Sequence, residues 1–418
     1  MALTFAGNFL GAGYVSGREL WQYFGVFGKK GFGGIVFSIS LLCFTTILSI
    51  LAAMVTGSDT LSDLLVPKKK DGSTSSAGYL VDAVNSFLIA CIALIMTAGI
   101  NSMAKQLLGI PEAVTGLVTV ALIAAAAIFG ISGMVGVFSA AVPLLVVLSA
   151  AITFLSIRKT GIPGTLMNIA AEKDRTAGML SGGLFLSAVN YACLNNISSI
   201  PALAPLARRL GSKGAPLAHR LGSKGAPLAH RLGSKGAPLS RRLKGESTLS
   251  RPEDNTESQN DGTRHGIRTM VLGSMLGAAM ILLVAVGILA VLNNNPEVLR
   301  TEIPMLEAAG LLGPFASRVY AVLMFLAMYG VAVSTMVAVL EFFRLKVKAY
   351  SRHKTGIRLL IFGFIYAGSL AGFSNLIGVV YPVYGYLGIA VMLLIAARLL
   401  IVTVQRKRKG KLGSDLLG

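Results

Sequence analysis

Two stretches combine polar side chains with helix-weakening residues, inside a chain that is otherwise apolar. The first reads Ala6-Gly7-Asn8-Phe9-Leu10-Gly11-Ala12-Gly13-Tyr14-Val15-Ser16-Gly17-Arg18-Glu19. Four glycines, an asparagine and a charged pair make a poor continuous helix. A break between Gly11 and Gly17 leaves about ten residues before it, or ~15 Å of helix, enough to reach the middle of a bilayer. The second reads Asn190-Tyr191-Ala192-Cys193-Leu194-Asn195-Asn196-Ile197-Ser198-Ser199-Ile200-Pro201, polar in its centre with a proline one turn beyond. An interrupted helix offers free carbonyls to cations and an electropositive N-terminus to anions. The backbone N–H groups of Gly11, Ala12, Gly13 and Tyr14 therefore suit an anionic substrate group. Asn190, Asn195, Ser198 and Ser199 would supply polar contacts from the second stretch. Taken singly, each stretch also reads as a close-packed helix interface.

Other chemistry is sparse. Arg18 and Glu19 fall about five residues past the break, roughly 7 Å along a helix, as an outer gate, a partner for a charged substrate, or an interfacial ion pair. Asp82, with Asn85 near it, is a gate or proton-coupling candidate, or else a carboxylate at a helix start. Glu341 and Arg344 read as interfacial. The four histidines (His219, His230, His265 and His353) lie outside the apolar segments, and Cys43, Cys91 and Cys193 sit inside apolar runs as small buried residues. With no H-E-x-x-H, no G-x-S-x-G and no paired intramembrane carboxylates, the expectation is a protein that is not an enzyme and has no cofactor.

A membrane framework must position these residues. The 418 residues are 54% hydrophobic and 13% charged, against roughly 25% charged in soluble domains. That excludes a soluble enzyme, a disordered scaffold and a secreted disulfide domain. Ten stretches are long enough to span a ~30 Å hydrocarbon core: approximately 1–26, 31–57, 79–103, 109–131, 133–157, 180–206, 266–293, 314–343, 356–374 and 376–402. The first lacks the basic lead of a cleaved signal peptide.

Ten spans put both termini on one side, and charge says which. With the termini inside, the inner loops hold 27 Lys and Arg, counting Arg268 and Arg358 with the loops beside them, against nine outside. This excess predicts cytoplasmic termini. Much of the positive charge sits in one segment. The sequence APLARRLGSKG at Ala204–Gly214 is followed by two copies of APLAHRLGSKG and a shortened APLSRRLKG, with ten Lys and Arg between Arg208 and Lys244. It reads as a basic arm for an anionic surface, or as a tandem expansion tolerated in a loop. Each copy carries helix-breaking Pro and Gly and none carries an aromatic to stack on a base, so no nucleic-acid partner is expected. The acidic, polar stretch 246–263 reads as a linker. The chain thus divides into a first five-helix repeat (1–157), an extracellular connector (158–179), a second five-helix repeat (180–402) interrupted by the basic loop 207–265, and a basic tail (403–418).

Ten spans with the first and sixth interrupted resemble the five-plus-five inverted repeat of LeuT-type transporters, in the amino acid–polyamine–organocation superfamily. Ala6-Gly7-Asn8-x-x-Gly11-x-Gly13 is similar to the first-helix motif of bacterial neurotransmitter:sodium symporters. G-A-G-Y-V-S-G-R-E from Gly11 to Glu19 resembles the G-A-G-F-A-S-G-Q-E pattern of YkvI-type bacterial membrane proteins, with Arg18 in place of the Gln. The resemblance implies an all-α polytopic fold with helices 1 and 6 discontinuous. It also implies an ion-coupled secondary transporter of an amino acid or similar small zwitterion, working by alternating access. In the sodium symporters an ion lies between the first and eighth helices. The corresponding positions here are Gly7, Leu10, Val331, Ser334 and Thr335, so a sodium ion is the implied coupling cation. The fifth span, with no lysine to replace that ion, leans the same way. The alternative function is a membrane anchor or receptor acting through the basic loop. The expected partners are a small-molecule substrate and the lipid bilayer.

Overall fold

The computed structural model describes residues 14, 16–56, 58, 60–66, 75–129, 134–160, 182–211 and 252–415. Among these there are twelve α-helices and no strand: α1 (Arg18–Tyr23), α2 (Lys29–Thr56), α3 (Leu61–Leu65), α4 (Ser76–Leu108), α5 (Glu112–Phe129), α6 (Met134–Thr160), α7 (Leu184–Gly211), α8 (Pro252–Asn294), α9 (Pro304–Ala309), α10 (Pro314–Lys346), α11 (Lys354–Ser369) and α12 (Phe373–Asp415). The protein is an all-α polytopic membrane protein. Five helices are long and apolar enough to cross a bilayer: Lys29–Ala53, Ser76–Leu108, Val271–Asn294, Pro314–Lys346 and Phe373–Val404. Shorter apolar segments lie at Glu112–Ala127 and Pro143–Arg158. Large apolar side chains such as Phe44, Phe87, Phe154, Leu283, Phe315 and Leu360 point outward, as hydrocarbon surroundings require.

Local chemistry sets several boundaries. Ser75 caps α4 by accepting from the Gly78 N–H, and Gly109 ends that helix in the left-handed conformation. Pro314 and Pro304 occupy first-turn positions, where their missing N–H costs nothing.

Three boundaries depart from expectation. The break foreseen in the sixth span is absent: α7 runs without interruption from Leu184 through Pro201 to Gly211. Its asparagines and serines satisfy themselves within the helix or against packed neighbours, so the backbone need not unwind to bury them. The acidic stretch expected as a linker is helical from Pro252. A first-turn proline followed by Glu253 and Asp254 suits a helix start, and a long apolar helix lies downstream to propagate it. The basic tail likewise continues α12 as far as Asp415. The segment carrying most of the repeats, 212–250, lies outside the described residues.

The packing is cross-wise between halves. Helix α2 lies against α7, α8 and α12, and α4 lies against α10, α11 and α12. Numbering the helices by predicted span, many contacts recur when five is added or subtracted. The α6–α10 contact is matched by α12–α4, α6–α8 by α12–α2, and α11–α4 by α5–α10. The α2–α8, α4–α10 and α5–α11 contacts each map onto themselves. The broad α4–α5 contact has no α10–α11 counterpart of similar extent.

Candidate functional site

The first span does break. Tyr14 is helical, Gly17 turns the chain with φ +81°, and α1 starts at Arg18. A Cβ at Gly17 would lie 2.8 Å from Met305 Cγ, so glycine is needed there for both torsion and space. The interrupted ladder is partly repaired from elsewhere: the Met305 N–H donates to the Ser16 carbonyl at 3.1 Å. Arg18 turns aside and donates from Nη1 to the Leu299 carbonyl at 2.9 Å.

Glu19 follows, and it is buried. No Lys or Arg pairs with its carboxylate among the described residues. Tyrosines surround it instead: Tyr14, Tyr23, Tyr191 of α7 and Tyr381 of α12 lie within electrostatic reach. The Tyr191 ring packs 4.9 Å from Tyr23 and edge-on to Phe24 at 5.2 Å. Its hydroxyl faces Glu19 and meets no other donor or acceptor. Two of the other hydroxyls are committed. Tyr14 donates to the Ile281 carbonyl at 2.8 Å, and Tyr23 to Asn190 Oδ1 at 3.1 Å.

Asn190 ties this region together. Its Nδ2 donates to the Pro382 carbonyl at 2.8 Å, so one amide joins α1, α7 and α12. The fit is close enough to require glycines opposite: a Cβ at Gly388 would lie 2.6 Å from the Cys193 carbonyl oxygen.

The other anticipated residues divide into three groups. Gly7, Leu10, Gly11, Ala12 and Gly13 lie outside the described residues. Asn195, Ser198 and Ser199 belong to α7, but their side chains donate back to the carbonyls of Tyr191, Asn195 and Asn196. Ser334 is exposed and donates to the Val331 carbonyl at 2.9 Å; Thr335 donates to the same carbonyl at 2.8 Å. Asp82 is half-buried and pairs with Lys346 at 3.3 Å, linking α4 to α10, with the lysine also 4.7 Å from the Tyr79 ring centre. Among the described residues no cluster of three His, Cys, Asp or Glu could hold a metal.

Sequence reasoning missed the second polar centre. Asn196 Nδ2 donates to Thr45 Oγ1 (3.0 Å) and Thr46 Oγ1 (3.1 Å), while Oδ1 accepts from Ser49 at 3.1 Å. These residues are all buried in the α2–α7 seam. The available signal was the Thr45-Thr46-x-x-Ser49 spacing, one face of a helix. The tyrosine ring around Glu19 was also missed, though Tyr14 and Tyr23 flank Glu19 in the same span.

No family model matches the chain. It is 21% identical over 404 residues to "Uncharacterized membrane protein YkvI" of Bacillus subtilis (strain 168), covering 93% of this chain and 92% of that protein. The likeness first drawn on Gly11–Glu19 thus extends along nearly the whole chain, and both are membrane proteins.

Proposed function

We propose, from a full-length likeness to a bacterial membrane protein and a broken first span beside a buried carboxylate, that the chain is a secondary transporter of a small solute. It works by alternating access around the junction of α1, α7 and α12. The observation carrying this reading is Glu19: a buried carboxylate with no basic partner among the described residues is costly in a membrane and is kept where a solute or ion must be bound. The recurrence of helix contacts between halves supports a five-plus-five repeat. Such a repeat is a framework in which one half can rock against the other.

The finer reading follows the resemblance: an amino acid or similar zwitterion as solute and sodium as the coupling ion, in an inner membrane with both termini cytoplasmic. Purified protein screened by thermal unfolding against amino acids, with and without sodium, tests it. A midpoint that rises with one solute class, more steeply with sodium, is the expected result. Deleting 211–244 should leave that response intact. If deletion abolishes the protein's cellular role while ligand binding persists, the anchor reading replaces this one.

A further inference from the structure

The surroundings of Glu19 specify which part of a solute they would take. The carboxylate is on α1, immediately past the break, and 4% exposed. The charged neighbour in sequence, Arg18, is directed to the Leu299 carbonyl. The groups facing it from α7 and α12 are tyrosines, which bring polarisable rings with negative faces and no positive charge. Within this aromatic group the Tyr191 hydroxyl is fully buried and meets no donor or acceptor apart from its contact with Glu19. A buried hydroxyl left in this way is expensive, and a ligand that satisfies it recovers the cost. One negative charge, several ring faces and the spare lone pairs of the Tyr191 oxygen are together complementary to a compact group that is positively charged and donates hydrogen bonds.

We infer that Glu19, ringed by Tyr23, Tyr191 and Tyr381, is the seat for the ammonium group of an amine-bearing solute. This rests on the transporter reading and assigns the solute's cationic end to a side chain. An alkylammonium offers three N–H donors, one for the carboxylate and two for tyrosine oxygens, while its first methylenes lie against the rings. A neutral or anionic solute of the same size would leave the carboxylate unpaired and is discriminated against by charge alone.

The test uses the full-length protein in nanodiscs, with the probes compared at one fixed pH and the probe-free midpoint also followed across pH. Thermal unfolding is followed with n-butylammonium chloride, n-butanol, sodium butyrate and sodium chloride as probes. Butylammonium should raise the midpoint in a saturable way, and butanol and butyrate should not. Glu19→Gln should weaken the apparent butylammonium affinity at least tenfold. Tyr191→Phe, which keeps the ring, should weaken it less and confirms the site should the glutamine variant fail to fold. An equal response in parent and Tyr191→Phe together with a retained response in Glu19→Gln overturns the assignment. So does a midpoint that ignores all four probes but shifts with pH in a Glu19-dependent way, which would make Glu19 a proton site. Counterflow of labelled n-butylamine in proteoliposomes separates the two readings. Glu19-dependent binding without counterflow upholds the seat and defeats the transporter. Solute uptake by Glu19→Gln at the parent's rate upholds the transporter and defeats the seat.

Discussion

Asn190 fills the space that a side chain on Gly385 would need: a Cβ placed there would lie 2.0 Å from Asn190 Oδ1 and 2.4 Å from its Cγ. The same amide holds Tyr23 and the Pro382 carbonyl, so it cannot swing away without giving up two hydrogen bonds. Gly385→Ala should therefore destabilise the protein by about 1–3 kcal/mol, as overpacking of a fitted contact does. Denaturant titration in detergent checks this. An unchanged midpoint would mean that α12 slides freely past α7.

Asn196→Leu removes the acceptor of Ser49 and the donor to Thr45 and Thr46 at one stroke. The threonine and serine hydroxyls also bond back to their own helix: Thr45 donates to the Leu42 carbonyl and Ser49 to the Thr45 carbonyl. The expected loss is accordingly moderate, about 1–2 kcal/mol. Replacing Thr45, Thr46 and Ser49 by Ala, Val and Ala in the same background should add less than the sum of the separate losses, since they share one network.

A hydroxyl can ligate sodium through its oxygen lone pairs while still donating to a carbonyl, but an ion site also needs enclosure, and Ser334 is exposed. Because they bond back to their own helix and Ser334 is exposed, Ser334→Ala with Thr335→Ala should alter stability by no more than about 0.5 kcal/mol. Any sodium-dependent rise in unfolding midpoint should persist. Its disappearance would restore the pair as ion ligands.

The Asp82–Lys346 pair joins a helix of the first half to one of the second. Its net worth at this partly exposed site is small, about 0.5–1 kcal/mol. Exchanging the two residues (Asp82→Lys with Lys346→Asp) should recover most of what either single change loses. Failure to recover would indicate that Tyr79, beneath the lysine, is the contact that matters.

Cysteine labels introduced at Thr160 and Asn295 should react with an impermeant reagent in intact cells, whereas labels at Lys69 or His353 should not. Reversed labelling would turn the whole arrangement over and place the basic loop outside.

Five of the ten stretches were legible as spans because hydrocarbon imposes length and apolarity on a crossing segment, and four more meet a described helix without reaching that length and apolarity. The break at Gly17 was legible because glycine density weakens a helix wherever it occurs. The sixth span misleads because a polar centre in an apolar helix resembles a site of unwinding. Asn195, Ser198 and Ser199 can each donate to a carbonyl three or four residues back, and sequence does not separate that from a hydroxyl aimed at a ligand. Glu19 stands out in the sequence for its charge, but half of its tyrosine surroundings, Tyr191 and Tyr381, come from spans six and ten. Only the packing brings them to one place.

The repair of the first span has a consequence for biogenesis. Tyr14 donates to a carbonyl 267 residues later, and Arg18 to one 281 residues later. At roughly 5–20 residues per second, the ribosome needs about 15–60 s to supply those partners after the first span has emerged. Through that interval the nascent first span lacks the Ile281, Leu299 and Met305 contacts that hold Tyr14, its arginine and its broken backbone in the mature protein. The membrane-insertion machinery, or water within it, must shelter them until the seventh span and the loop beyond it arrive. A chain stalled before Val271 would therefore present its first span as a degradation signal, however well its second, third and fourth spans had already packed.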